Sequence, residues 1–211
     1  ADDARFLDTP VYLDGRAVND AALLLLLAPS GKFGLLKTQG LDISSTVFTV
    51  TKADETNRVV REFDGRPAAK VYAEAIGMEP DALSLENTGS LWPLALMVGD
   101  EPFLRVAAGG TPDGGLQFLH SVGEGMRLKL SRTTDIVEST ALALAAKRKE
   151  LGGISGILHF NCLSRQNILE AEGKADEFGR LFRGFPHAGL ASHGEIYIAV
   201  ANYTSTMLLF A

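Results

Sequence analysis

Two short segments of the sequence carry the side chains best suited to bind a small molecule. The first is "HFNCLSR", residues 159–165, in which an apolar strand pattern passes into a helix pattern through Asn161, Cys162 and Arg165. Polar groups at the end of a strand that leads into a helix commonly line pockets. Arg165 suits the dipole of the following helix poorly, so we expect either an anionic ligand or a surface salt bridge to a glutamate of that helix.

The second segment is "SHGEIYI", residues 192–198, close to the end of the printed sequence. His193 and Glu195 are two residues apart and would share one face of an extended chain. Gly194 between them would let a ligand or another backbone approach closely. A histidine and a carboxylate on one face suit a bound ammonium, a metal ion or proton transfer, and the structural alternative is a loop histidine bonded to its neighbours.

Metal binding by this segment would need a third ligand. His187 is the nearby candidate, and its spacing from His193 and Glu195 matches no strong metal motif. We therefore expect neither a metal nor any other cofactor.

Glu195 stands at the start of the apolar alternation "IYIAV". A carboxylate there would be partly desolvated unless it is paired. Its partner is either Arg165, Arg105 or a bound amine. Asn202, in "ANYTST", is either a turn residue or an amide presented to the same site.

Catalysis is the weaker interpretation. Cys162 would be a nucleophile only with a histidine close in space, and free cysteines are more often small buried hydrophobic residues. The sequence contains no HExxH, GxxxxGK[ST] or GxSxG motif. His120 and His159 lie within strand patterns and are predicted to be structural. We expect that the protein is not an enzyme.

Charge and composition restrict the partners. The net charge is −6 and the isoelectric point is near 5.2, which disfavours a nucleic-acid partner. The single cysteine excludes an internal disulfide and agrees with a cytoplasmic location. The most apolar run, residues 21–28, is shorter than the roughly 20 residues that a membrane helix needs, so we expect no membrane insertion and predict a buried strand instead.

The order of patterns predicts a mixed α+β fold, mostly an antiparallel or mixed β-sheet with a few flanking helices. A strand-rich first part, residues 1–65, precedes a second part, residues 66–211. The second part is predicted to contain a helix ending near Gly77, a four-strand antiparallel meander over residues 93–132, a helix capped by Thr133 or Thr134, a buried strand over residues 154–164, a second long helix over residues 165–185, and a final pair of strands.

Several stretches resemble the FIST family, named for F-box and intracellular signal transduction proteins. "LHFNCLSR", "FPHAGLASHGEI" and "NYTSTMLLF" resemble its C-terminal domain, and "VTKADETNRVVREFDGRPAAKVY" resembles the tail of its N-terminal domain. The resemblance implies a sensory module, often joined to signalling domains in bacteria, that binds small ligands with amino acids as the candidate class. The matching positions are Cys162, Arg165, Gly194 and Glu195.

The favoured interpretation is a small-molecule sensor that acts on a downstream signalling domain or protein. Arg165 would hold a carboxylate with two parallel hydrogen bonds. Glu195 would hold an ammonium, and His193 and Asn202 would set its orientation. The alternatives are a protein-interaction module without a small ligand and, less favoured, a cysteine–histidine enzyme. The central prediction is that the Cys-x-x-Arg segment and the Gly-Glu turn converge across a small polar hollow.

Overall fold

The computed structural model describes residues 8–89, 91–197 and 199–211 and confirms the mixed α+β fold. Its α-helices are α1 (Ala68–Ile76), α2 (Ile136–Leu151), α3 (Leu163–Ala171) and α4 (Ala175–Arg180). Its strands are β1 (Val11–Leu13), β2 (Arg16–Val18), β3 (Phe33–Thr38), β4 (Leu41–Asp54), β5 (Val59–Phe63), β6 (Arg66–Pro67), β7 (Leu94–Val98), β8 (Glu101–Arg105), β9 (Ala107–Gly110), β10 (Leu116–Phe118), β11 (Arg127–Thr133), β12 (Gly156–Cys162), β13 (His187–Ser192), β14 (Glu195–Tyr197), β15 (Ala199–Ala201) and β16 (Ser205–Phe210).

The larger sheet has the strand order β8-β7-β11-β4-β5-β10-β9, with β6 beside β5, and neighbouring strands are antiparallel. The predicted meander is wrong in part. β7 pairs with β8 and β9 with β10, but β11 pairs with β7 and β4 rather than with β10. The connection over residues 119–126 is long enough to carry the chain past the β4–β5 hairpin, which a tight turn would not allow.

The smaller sheet has the order β13-β12-β16-β3. β12 and β13 run parallel and are joined through α3 and α4, as a parallel pair requires. β16 lies between β12 and β3, so the predicted pairing of the last two strand segments with each other is wrong. At Gly189 an added Cβ would lie 1.7 Å from the carbonyl oxygen of His159, which shows how closely β13 approaches β12.

The helices follow the local capping signals with two exceptions. α1 ends at Gly77, whose φ of 70° is readily adopted by glycine. α2 begins after Asp135 rather than after Thr133 or Thr134, because the Asp135 carboxylate accepts hydrogen bonds from the amides of Val137 and Glu138. The predicted second long helix is divided into α3 and α4 at Gly173, where φ is 68°.

The described residues contain three clusters of buried hydrophobic residues, and two of them each support one sheet. The core of the larger sheet packs on α1 and includes Phe48, Val50, Val60, Phe63, Tyr72, Leu94, Leu116, Phe118 and Leu128. The core of the smaller sheet packs on α2, α3 and α4 and includes Ile136, Val137, Leu144, Ile157, Leu169, Phe178, Phe182, Met207 and Leu209. Within the described residues, no helix is both long enough and apolar enough to cross a membrane.

The first strand segments match the prediction only in part. β1 and β2 form the expected hairpin, with positive φ at Asp14 and Gly15 in the turn. The apolar run over residues 21–28 is neither a strand nor buried: Leu24 and Leu26 are 91% and 96% exposed. The prediction of a buried strand is therefore wrong, because no strand among the described residues pairs with this run to cover it.

Candidate functional site

The two predicted site segments converge in the structure. Cys162 ends β12 and lies opposite Ser192, which ends the parallel strand β13. The Cys162 amide donates to the carbonyl of Thr204 over 2.9 Å. The Ser192 hydroxyl donates to Glu195 Oε1 over 2.6 Å, and the Thr204 hydroxyl donates to Glu195 Oε2. The parallel pairing of β12 and β13 thus places the Gly-Glu turn beside the Cys-x-x-Arg segment.

Arg165 lies in the first turn of α3 and is fully buried. Its Nε donates to Asn161 Oδ1 over 3.1 Å, its Nη1 to the carbonyl oxygen of Gln39 over 2.8 Å, and its Nη2 to Thr140 Oγ1 over 3.0 Å. The alternative of a surface salt bridge to a helix glutamate is therefore wrong. Arg165 instead joins β12, the β3–β4 turn and α2 through hydrogen bonds that satisfy its guanidinium.

Asn161, Cys162, Arg165 and Glu195 form what we call the polar centre, and its titration is dominated by burial. Burial lowers the pKa of Arg165 to about 10, and the charges of Cys162 and Glu195 oppose the shift. Burial raises the pKa of Glu195 against its hydrogen bonds from Ser192 and Thr204. Burial, with a smaller contribution from Glu195, raises the pKa of the Cys162 thiol. The polar centre therefore holds a cationic guanidinium and a thiol that resists ionisation at neutral pH.

The side chains of His193 and Asn202 are placed differently from the prediction. The chain bends at His193, which is exposed, whereas Glu195 is buried, so the predicted shared face does not form. Gly194 makes only ordinary contacts, since an added Cβ would lie 3.8 Å from Asn202 Oδ1. Asn202 is buried and turns towards the larger sheet, where its Nδ2 lies 2.9 Å from Nε2 of His120.

A cleft with a volume of about 240 Å³ opens beside the polar centre, at the carboxyl end of β12 on the helix-covered face of the smaller sheet. Asn161 is the predicted site residue that lines it. The other lining residues are His159, Gln166, Phe178, Gly179, Phe182, His187, Gly189, Leu190 and Ala191. The polar hollow thus lies to one side of Arg165 and Glu195 rather than between them.

Sequence reasoning did not identify His159 and Gln166 as site residues. His159 lies two residues before Asn161 and shares its strand face, a signal that the alternation of β12 does contain. Its Nε2 lies 2.6 Å from Ser205 Oγ and its ring lies 4.8 Å from the ring of Phe182. Burial, together with the charge of Arg165, lowers the pKa of His159 to about 4, so the ring is neutral at physiological pH.

The structure is that of a mixed α+β domain with an enclosed polar centre and a small polar cleft beside it. The chain belongs to the FIST family, whose domains are sensory and signalling domains: the FIST N domain matches residues 1–66 and the FIST C domain matches residues 68–198. No curated protein and no solved structure matches the chain. The two matched segments share the smaller sheet, because β3 comes from the first and β12 and β13 from the second.

Proposed function

We propose that this FIST protein is a cytoplasmic sensory domain of a bacterial signal-transduction protein. In this proposal it binds a small polar molecule in the cleft beside Asn161, with amino acids as the class to test first, and acts on a downstream signalling domain or protein. The proposal rests on Asn161, whose side chain connects the cleft to the polar centre. Asn161 lines the cleft and accepts a hydrogen bond from Arg165.

The size and lining of the cleft favour a small ligand. Its volume of about 240 Å³ is below the roughly 300–1,000 Å³ typical of pockets for drug-sized molecules. The amides of Asn161 and Gln166 supply hydrogen-bond donors and acceptors, and Phe178 and Phe182 supply apolar surface. In this conformation a ligand contacts Asn161 directly, whereas direct contact with Cys162, Arg165 or Glu195 would require movement of the residues that bury them.

Arg165 offers a route from the cleft to the segment matched by the FIST N domain. Its guanidinium holds the carbonyl oxygen of Gln39 while its Nε holds Asn161. A ligand that competes for the Asn161 amide would change the hydrogen bonding of Arg165, and with it the anchoring of the β3–β4 turn. A ligand shifts such an equilibrium only by its differential affinity for the two states.

Calorimetry with each standard amino acid tests this function. We expect binding to the wild-type protein, loss of at least tenfold in affinity in Gln166→Ala, and unchanged affinity in Asn167→Ala. Asn167 is the matched control because it is an exposed amide on the same helix and does not line the cleft. Equal binding by both variants, or no binding by the wild type, would remove the cleft as the ligand site.

A second candidate function, protein interaction without a small ligand, is favoured by one apolar surface. On the face of the smaller sheet opposite the helices, Phe33, Leu35, Phe160 and Leu190 are about half exposed, and such faces mark interaction sites. A Phe160→Ser variant that loses association with a co-expressed signalling domain while it keeps the thermal unfolding midpoint of the wild type would support this function. Unchanged association would count against it.

We further propose that the protein is not a cysteine–histidine enzyme. Cys162 is buried and the pKa of its thiol is raised, whereas His187 and His193 are exposed. A nucleophilic thiol needs the opposite environment. Iodoacetamide should label native Cys162 far more slowly at neutral pH than it labels the unfolded chain, and equally fast labelling would contradict the proposal.

A further inference from the structure

Arg105, at the end of β8, is half-buried and incompletely paired. Its Nη1 donates to the adjacent carbonyl of Leu104 over 3.2 Å, while its Nε is enclosed by protein and has no hydrogen-bond acceptor among the described residues. None of the salt bridges between described residues includes Arg105. Withdrawing part of a guanidinium from water without a counter-charge is costly, and a bound anion would offset that cost.

Two further basic side chains stand beside Arg105. The Leu119 amide donates to the carbonyl of Val106 over 3.0 Å, so His120 lies alongside the end of β8. Arg58 donates from Nη1 to the carbonyl of Leu119 over 3.1 Å, which brings a second guanidinium to the same place. Arg58 also lacks a salt bridge within the described part of the chain.

The backbone holds these groups in place. Arg58 has a φ of 57° at the end of the β4–β5 turn, and its carbonyl accepts hydrogen bonds from the Phe118 amide and Gln117 Nε2. The His120 ring is fixed by Asn202, whose own carbonyl accepts from Gln39 Nε2 over 3.3 Å. Preformed positions of this kind lower the ordering cost of binding.

We propose that Arg105, Arg58 and His120 form a second ligand site, separate from the cleft, that binds a small oxyanion group, either a carboxylate or a phosphate. Arginine presents its planar donors to both groups with bidentate geometry. Asn202 is the positioning residue, because it orients His120 and connects this site through Gln39 to Arg165.

The charge balance around His120 agrees with an anion site. The pKa of His120 is lowered by burial and then by the charges of Arg105 and Arg58, and no carboxylate contributes in the opposite direction. The Glu55 carboxylate lies against Gly123, three residues further along the chain. A bound oxyanion would oppose the two guanidinium charges and stabilise the protonated ring.

The test is a titration of the whole chain with inorganic phosphate and, separately, with acetate, at constant ionic strength set with sodium chloride. The His120 ring proton is followed by NMR across pH. We expect at least one anion to raise the pKa of His120 in the wild type, and Arg105→Gln to increase the dissociation constant tenfold or more. Arg127→Gln is the matched control, an exposed arginine on β11 that should bind as the wild type does.

The two probes distinguish the source of the oxyanion. Binding of phosphate alone assigns a phosphate ligand, and comparable binding of acetate assigns a carboxylate ligand. In Arg105→Gln without any anion, the pKa of His120 should rise because a neighbouring positive charge is gone, which shows that the variant is folded and that the groups are adjacent. Absence of any anion effect in the wild type, or an equal effect in Arg105→Gln, would overturn the proposal.

Discussion

Arg165 and Arg105 differ both in how deeply they are buried and in how completely their guanidinium groups are hydrogen-bonded. Arg165 is fully buried, and protein groups accept hydrogen bonds from its Nε, Nη1 and Nη2. Arg105 is only half-buried, yet its Nε has no acceptor among the described residues. Completeness of pairing, rather than depth of burial, separates a structural arginine from one that awaits a ligand.

Replacement of Arg165 should give the largest loss of stability. We expect Arg165→Met to destabilise the protein by about 3–5 kcal/mol, because it leaves the Gln39 carbonyl and the Asn161 side-chain oxygen buried without their charged donor. Arg105→Met should stay within about 1 kcal/mol of the wild type, since it removes few hydrogen bonds. Urea unfolding of both variants makes the comparison, and equal losses would end the distinction between the two arginines.

Acid should affect the two histidines unequally. The pKa of His159 is about 4 in the folded protein and 6.5 ordinarily, so the neutral ring stabilises the fold above pH 6.5 and this contribution is lost as pH falls towards 4. The loss amounts to about 3 kcal/mol. His120 shifts in the same direction by less. Unfolding curves between these pH values should show that His159→Gln removes more of the acid sensitivity than His120→Gln does.

The two buried asparagines extend the comparison. Asn161→Ala should cost about 2–3 kcal/mol, because the amide accepts from a charged and buried donor. Asn202→Ala should cost about 1 kcal/mol, because it loses a hydrogen bond to a neutral ring. Thermal unfolding monitored by calorimetry compares the two variants. A larger loss of stability in Asn202→Ala than in Asn161→Ala would contradict the prediction.

The smallest expected effect concerns Glu195. Its pKa is raised in the folded state, so its contribution to stability is greatest below its ordinary value of 4.5 and declines as pH rises through the raised value. The stability of the wild type relative to Glu195→Gln should therefore fall as pH increases. Urea midpoints measured from acid to neutral pH give the slope, and a slope of the opposite sign would mean that Arg165 outweighs the effect of burial.

Local sequence patterns predicted the elements well where one residue type decides the geometry. The Asp14-Gly15 turn, the helix end at Gly77 and the strand that ends at Cys162 all follow from short-range rules. The Cys-x-x-Arg segment and the Gly-Glu turn converge as predicted, but the cleft lies beside them rather than between them. The convergence depends on parallel pairing of β12 and β13, which a strand–helix–strand order favours.

The other features of the fold and site depend on contacts between residues far apart in sequence, which no local sequence pattern indicates. The acceptor of Arg165 Nη1 is a main-chain carbonyl 126 residues away, and any residue type offers such an oxygen. The strand order of the larger sheet could not be derived, because β10 and β11 are adjacent in sequence and separated in the sheet by β4 and β5. The prediction that His193 and Glu195 share one face assumed an extended chain, but the chain bends at His193.

The position of β16 in the smaller sheet sets the timing of assembly. β3, β12 and β13 are translated first, but β3 has no neighbour in this sheet until residues 205–210 arrive between it and β12. During synthesis β3 therefore stays unpaired in this sheet until residues 205–210, which follow both matched segments, have left the ribosome. Loss of β16 would separate β3 from β12 and expose the edges of both strands. Cellular proteases would then cleave the unpaired segments.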